Sequence, residues 1–180
     1  MLPKLTDEQF QQMTAYCHAT DHPDDNLRRA KLLGLDAENV RVAPGAIIRL
    51  LRSGRIASGC FIGLYCYVNG EVILEENVFL GPHCSLTSNT HLFDPQTQAF
   101  TKSSHSPIRV RRGTWLCAGV SVTSGVTIGA GNLICAHAVV TKDTPDFAIM
   151  AGVPARQVGS IDPQTGCSIW KNSGHGESKI

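Results

Sequence analysis

Leucine, isoleucine or valine recurs at every sixth position along most of this chain. One series occupies positions 56, 62, 68, 74, 80 and 86, and a second occupies 110, 116, 122, 128, 134 and 140. An amphipathic helix would show a period of about 3.6, and a single strand of about thirty residues would be far longer than strands usually are. A constant six-residue step instead indicates a repeat architecture.

Small or branched side chains lie two residues before these aliphatic positions. Cys60, Val78 and Ala138 are examples, and glycine often follows the aliphatic residue, as at Gly63 and Gly129. Each six-residue unit can be one short strand and a sharp turn, with the aliphatic side chain inside and glycine tolerating the turn. Three units close a coil of about eighteen residues, so stacked coils predict a mainly β protein, a parallel β-helix.

The chain before the repeat, from Thr6 to Leu35, has helical character. Thr6 and Gln9 have the spacing of a capping box, residues 21–23 predict a break, and Gly34 ends a second helix. We therefore predict a helical segment over 1–38, a β-helix domain over 39–160 with an extended loop over 87–109, and a C-terminal tail over 161–180.

Composition narrows the classes of function. A net charge of +1 with 17% charged residues gives no reason to expect a nucleic acid or an anionic membrane as partner. No apolar run approaches a membrane span, and the first ten residues lack the order of a signal peptide. The seven cysteines form no CxxC pair, which favours reduced thiols over disulfides or zinc. We expect a cytoplasmic protein that does not insert into membranes.

The six-residue pattern is interrupted between Leu86 and Val110. The positions that would continue it, 92, 98 and 104, are Leu, Gln and Ser. The insertion carries His91, Asp94 and His105 among its polar residues. Insertions that leave a solenoid on one side often build its binding surface, although a surface loop without function has the same signature.

Five segments of the repeat region carry further motifs: 77–91 (NVFLGPHCSLTSNTH), 114–118 (TWLCA), 124–131 (SGVTIGAG), 139–143 (VVTKD) and 151–156 (AGVPAR). Together they resemble the hexapeptide-repeat acyltransferases, especially the maltose and galactoside O-acetyltransferase branch. The resemblance covers residues 39 to 160. It implies a left-handed β-helix, a homotrimer with active sites between subunits, and acetyl-CoA as the co-substrate.

The resemblance places His91 at the catalytic histidine of that family. A hydroxyl is too weak an acid to ionise near neutral pH, so it must lose its proton as it attacks the thioester. An imidazole, which ordinarily titrates near pH 6.5, can accept that proton and return it to the thiolate that leaves. No metal is required, because a thioester is already activated.

The resemblance also implies residues that bind acetyl-CoA. These are Ala118, Ala136, Thr141, Lys142 and Arg156. The two cations would meet the phosphates of CoA, Ala136 would act through its backbone, and the Ala118 backbone N–H would contact the thioester oxygen.

The acceptor site matches the family less well. Trp115 matches the tryptophan beside the acceptor channel, but Phe61 and Gly63 stand where the sugar enzymes carry asparagines, and Asn69 replaces a sugar-binding carboxylate. The resulting hypothesis is O-acetylation of a sugar or sugar-like hydroxyl, with Phe61, Asn69 and Trp115 at the acceptor.

Other functions remain open at this point. An acetyltransferase that modifies antibiotics would share the donor chemistry, and a β-helix without catalytic activity could act as an assembly scaffold. A zinc carbonic anhydrase on a β-helix needs three histidines across an interface. Two of these normally lie five apart, a spacing that no pair after the N-terminus shows.

Overall fold

The computed structural model of the chain describes residues 6–12, 22–51 and 53–171. Helix α1 covers residues 7–12 and α2 covers Pro23–Leu32. The predicted capping box is confirmed, since the Thr6 N–H donates to Gln9 Oε1 at 2.9 Å and the Gln9 N–H donates to Thr6 Oγ1 at 3.2 Å. Residue 21 of the predicted break and residues 172–180 of the predicted tail lie outside the described residues.

Three parallel sheets form the three faces of a coiled prism. Face A contains β1 (Arg41–Val42), β4 (Phe61–Ile62), β7 (Phe79–Leu80), β12 (Trp115–Leu116), β15 (Leu133–Ile134) and β17 (Ala148–Ala151). Face B contains β2 (Ile47–Leu50), β5 (Tyr67–Gly70), β8 (Ser85–Thr87), β13 (Ser121–Val122) and β16 (Val139–Val140). Face C contains β3 (Arg55–Ile56), β6 (Val72–Leu74), β11 (Ile108–Val110) and β14 (Thr127–Ile128).

The register of the strands reproduces the repeat in the sequence. Ile62 pairs with Leu80, and Leu116 pairs with Ile134, so one coil takes eighteen residues. Leu80 pairs across the insertion with Leu116. All twelve aliphatic positions of the two series are buried, none more than 7% exposed. The chain is a left-handed parallel β-helix of about six turns, as the sequence and its resemblance predicted.

The insertion folds as a β-hairpin of β9 (Asn89–Asp94) and β10 (Ala99–His105). It leaves the prism where face B passes into face C, a position that we call corner BC. The turns between faces A and B form corner AB. In the described part of the chain, no helix is long and apolar enough to cross a membrane.

Both ends of face A are covered. Helix α2 packs on β1, where Arg29 Nη1 donates to the Val42 carbonyl at 2.7 Å and Ala30 is buried. At the other end, β18 (Arg156–Ile161) turns back antiparallel on β17, and β19 (Ser168–Trp170) adds antiparallel to β18. These two antiparallel strands extend face A beyond the last parallel coil.

Candidate active site

The hairpin holds His91 above corner BC. In the antiparallel ladder His91 pairs with Ser103, and Asn89 pairs with His105. Side chains alternate between the two sides of a strand, so Asn89 and His91 project from the same side of β9. The His91 side chain is exposed, and its ring has no hydrogen-bond partner among the described residues. It is therefore accessible to a ligand without breaking an existing bond.

The tip of the hairpin is fixed by its own contacts. Asp94 is buried, accepts a hydrogen bond from the Gln96 N–H at 2.9 Å, and lies 3.8 Å from Lys102 Nζ. The Phe93 and Phe100 rings meet edge to face with centroids 5.4 Å apart. These contacts favour a single hairpin conformation, which gives His91 a defined direction.

The base of the hairpin is anchored by a buried serine. Ser88 Oγ accepts a hydrogen bond from the Glu71 N–H at 2.8 Å, and the Ser88 carbonyl accepts one from Ser124 Oγ at 2.6 Å. A cavity of about 430 Å³ opens beside this anchor. Its walls are mainly hydroxyl-bearing, and they are formed by Thr87, Asn89, Thr90, Ser106, Val122, Thr123 and Ser124.

Asn69 lies next to this anchor. It is half-buried at the end of β5, pairs with Thr87, and its carbonyl accepts a hydrogen bond from the Ser88 N–H at 3.1 Å. The structure thus brings one predicted acceptor residue to the same corner as the hairpin of His91.

Ala118 and Ala136 occupy equivalent turns of successive coils at corner AB. The Ala118 carbonyl accepts a hydrogen bond from the His137 N–H at 2.9 Å, which fixes the spacing of the two turns. Neither alanine N–H donates a hydrogen bond within the described part of the chain. Among the described residues, both backbone donors therefore lack an acceptor, and each could donate to a carbonyl oxygen.

The thiols before these turns are kept protonated. Burial raises the pKa of Cys117 and of Cys135, each of which directly precedes one of the alanines. A thiol with a raised pKa is a weak nucleophile. Cys117 and Cys135 are therefore poorly reactive at neutral pH.

Lys142 and Arg156 both lie close to β16, the last strand of face B. Lys142 is in the exposed turn after β16, and Arg156 follows Ala155, whose N–H donates to the Val139 carbonyl at 2.8 Å. Thr141 is exposed beside the lysine. Neither cation forms an ion pair with another described residue, so both are open to an anionic ligand.

Phe61 and Trp115 project from face A, on the other side of the prism from the hairpin. They belong to a stack in which Phe79 lies 4.7 Å from the Phe61 ring and 6.2 Å from the Trp115 ring, between centroids. Trp115 is 42% exposed and Phe79 is 40% exposed. Within one chain, these two predicted acceptor residues are not brought to His91.

No role for Ser88, Asn89 or His105 could be predicted from the sequence. His105 Nδ1 lies 2.7 Å from Asn89 Oδ1 at the base of the hairpin. The break in the six-residue period indicated that this segment could form a binding surface. The pairing of Asn89 with His105, however, depends on the register of the hairpin. Among the described residues, no three His, Cys, Asp or Glu side chains are grouped so that they could hold a metal ion.

Comparison with known proteins supports the resemblance found in the sequence. No protein-family model matches the chain. The galactoside O-acetyltransferase of Escherichia coli is 31% identical over 91 residues, which cover 51% of this chain and 45% of that protein. The chain spans about half the length of the relatives it matches.

Solved structures share the fold. The maltose O-acetyltransferase of Clostridium difficile superposes with a TM-score of 0.60 at 24% identity, over 86% of each chain. A hexapeptide-repeat acetyltransferase of Vibrio cholerae, solved with acetyl coenzyme A, gives a TM-score of 0.55 at 21% identity, over 85% of each chain. The predicted relationship is thereby confirmed: the chain is related to the hexapeptide-repeat acetyltransferases, among them the galactoside and maltose O-acetyltransferases, and shares their left-handed β-helix.

Proposed function

We propose that the protein transfers an acetyl group from acetyl-CoA to a hydroxyl of a sugar or sugar-like acceptor. The observation that carries this proposal is His91, an exposed imidazole that makes no hydrogen bond to another described residue. It lies on a β-hairpin, within the segment that resembles the sugar acetyltransferases. The name of the E. coli relative and the acetyl coenzyme A in the V. cholerae structure support it.

In this reaction His91 acts as the general base. Its free ring nitrogen accepts the proton of the acceptor hydroxyl while that oxygen attacks the thioester carbonyl carbon. The carbon–sulfur bond then breaks, and the imidazolium returns the proton to the sulfur of CoA. The products are the acetyl ester and the free thiol of CoA.

Backbone groups and cations bind the donor. The Ala118 and Ala136 N–H groups, which have no acceptor within the described chain, stabilise the negative charge that develops on the carbonyl oxygen. Thr141, Lys142 and Arg156 bind the phosphate-bearing part of CoA, where two cations that form no ion pair with another described residue favour an anion.

We propose a homotrimer in which each site combines two chains. His91 and Asn69 lie at corner BC, whereas Phe61 and Trp115 lie on face A, so one chain cannot present all four to one acceptor. Exposed apolar side chains occur on both surfaces: Phe93 and Phe100 on the hairpin, and Trp115 on face A. Burial of these rings between subunits would complete the site.

Subunit mixing tests this arrangement. His91→Ala and Trp115→Ala chains, each inactive alone, are unfolded together and refolded. If the two residues meet across an interface, random mixing restores about a quarter of the wild-type sites. No recovery in a mixture of correct mass would contradict a shared site, and a monomeric mass by light scattering would contradict the trimer.

Release of the CoA thiol tests the reaction. Acetyl-CoA is combined with monosaccharides, disaccharides, nucleotide-sugars and hydroxylated antibiotics. His91→Ala should lower kcat by roughly 10²–10⁴. The matched control is Thr101→Ala, an exposed hairpin residue whose side chain makes no hydrogen bond to another described residue. Replacing Lys142 and Arg156 together with alanine should raise the acetyl-CoA KM more than it lowers kcat. Near-normal turnover of His91→Ala would rule out its role.

The same panel separates the remaining alternatives. An antibiotic as the best acceptor would keep the chemistry and change the substrate class. Failure to bind CoA in calorimetry would favour a scaffold without catalysis.

The six cysteines in the described part of the chain are all free thiols, which supports a reducing, cytoplasmic location.

A further inference from the structure

Two imidazoles project from the same side of the hairpin. Asn89 and His91 are two residues apart in β9 and therefore lie on the same side of the strand. His105 is paired directly with Asn89 in the neighbouring strand. Diagonal neighbours in an antiparallel pair lie roughly 7–8 Å apart, so the rings of His91 and His105 can reach two groups of one small molecule. His105, like His91, is exposed.

The hydrogen bonds at the hairpin base fix the orientation of the His105 ring. Ser88 Oγ already accepts the Glu71 N–H, and its own hydroxyl proton is directed to Asn89 Oδ1 at 3.3 Å. The oxygen of the Asn89 carboxamide also lies 2.7 Å from His105 Nδ1. An amide oxygen only accepts, so His105 Nδ1 carries the hydrogen, and Nε2 of the neutral ring keeps a lone pair.

This arrangement is anchored in the prism. Ser88 is fully buried, and its carbonyl accepts hydrogen bonds from Ser124 Oγ at 2.6 Å and from the Ser106 N–H at 3.1 Å. Gly70, with φ at 91°, allows the close approach, because a Cβ there would overlap the Ser88 hydroxyl. A ring that is held this firmly loses little further freedom when it binds a ligand.

We propose that His105 binds the acceptor: its Nε2 accepts a hydrogen bond from a hydroxyl next to the one that is acetylated. Asn89 is a positioning residue that acts through His105. This inference rests on the proposed function and adds a substrate class to it, namely acceptors that carry neighbouring hydroxyl groups, as a sugar ring does.

Kinetics with deoxy acceptors test the proposal. The probes are the methyl glycoside with the highest kcat/KM in the acceptor panel and its monodeoxy analogues. His105→Ala should raise the acceptor KM about tenfold, equivalent to one hydrogen bond of roughly 1.4 kcal/mol, and leave the acetyl-CoA KM unchanged. One deoxy analogue should be equally poor with wild type and with His105→Ala, because the bond is already absent.

Asn89 variants separate positioning from structure. Asn89→Asp keeps an acceptor for His105 Nδ1 and should stay near wild type, whereas Asn89→Leu should raise the acceptor KM. A loss of thermal stability without a change in KM would show that the pair only closes the hairpin, and would overturn the proposal. Thr101→Ala, at an exposed position of β10, controls for disturbance of the strand.

The two proposals fail in different ways. If wild type transfers acetyl groups and His91→Ala does not, but His105→Ala keeps the wild-type acceptor KM, only the role of His105 falls. If every deoxy analogue loses the same factor in wild type and in His105→Ala, the role of His105 also falls. If wild type transfers nothing, both proposals fall.

Discussion

Asn132 is the centre of a buried hydrogen-bond network that ties the last coils together. It is 1% exposed, its Nδ2 donates to Thr144 Oγ1 at 2.6 Å, and its Oδ1 accepts the Ala148 N–H at 2.8 Å. Thr144 Oγ1 also accepts the Gly129 N–H at 3.0 Å. Replacing Asn132 with alanine therefore leaves the Ala148 N–H, which is buried, without an acceptor.

The expected loss follows from these contacts. An unsatisfied buried donor costs about 1–3 kcal/mol, and the small cavity left by the carboxamide adds about 1 kcal/mol. Thr144 Oγ1 still accepts the hydrogen bond from the Gly129 N–H, so the substitution leaves no second buried polar group unsatisfied there. The free energy of unfolding should fall by roughly 2–4 kcal/mol, which lowers Tm by about 5–15 °C in a chain of this size.

Urea denaturation at fixed protein concentration measures this loss. The control is Gln164→Ala, whose exposed side chain makes no hydrogen bond to another described residue, and it should change stability by less than about 0.5 kcal/mol. A double-mutant cycle with Thr144→Val isolates the coupling between the two side chains. A loss below about 1 kcal/mol for Asn132→Ala would refute the reasoning.

An aspartate at the same position adds a test by pH. Asn132→Asp keeps an acceptor for Ala148, but burial raises the pKa of a carboxyl there above its ordinary value of about 3.9. The folded state then holds the proton more tightly than the unfolded chain. Stability should be closest to wild type below about pH 4 and decline as the pH rises towards the folded pKa.

Three further predictions concern other parts of the fold. Burial opposes ionisation of Glu75, but its hydrogen bond and ion pair with Arg109, 2.9 Å away, hold its pKa below the ordinary value. Glu75→Gln should lower the free energy of unfolding by at most about 1 kcal/mol at pH 7. In urea titrations, this difference from wild type should shrink once the pH falls below about 4.3. Gly59 and Gly113 have φ of 72° and 67°, but only at Gly59 would a Cβ overlap a side chain of the next coil; Gly59→Ala should therefore lower Tm more than Gly113→Ala, and equal losses would contradict this stacking. Burial raises the pKa of Cys60 to about 11, so mass spectrometry should find iodoacetamide on Cys60 in urea and almost none in the native protein at pH 8.

The stack of coils could be predicted because every coil needs the same kind of side chain at the same positions. An aliphatic side chain must fill the prism at every sixth residue, so the series from Ile56 to Val140 is visible without any tertiary information. The capping box of Thr6 and Gln9 is equally local. Both features were confirmed because they depend on neighbours in sequence or on a strict period.

Other features depend on register and could not be read from the pattern. The pair of Asn89 and His105 exists because β9 and β10 align in one particular way, and polar residues in an insertion do not specify that alignment. The separation of His91 from Trp115 needed the topology of the three faces. The antiparallel return of β18 also escaped prediction, because its sequence after Pro154 lacks the six-residue period.

The covered ends of face A determine whether another strand can be added to that sheet. A parallel coil presents unpaired backbone groups at its last turn, and such an edge can recruit further copies into fibres. Here the reversal of β18 and β19 gives face A an edge that no longer matches an incoming parallel strand, while Arg29 occupies the Val42 carbonyl at the opposite rim. On face A, the hydrogen-bonding edge that builds the prism is thus closed to a further parallel strand.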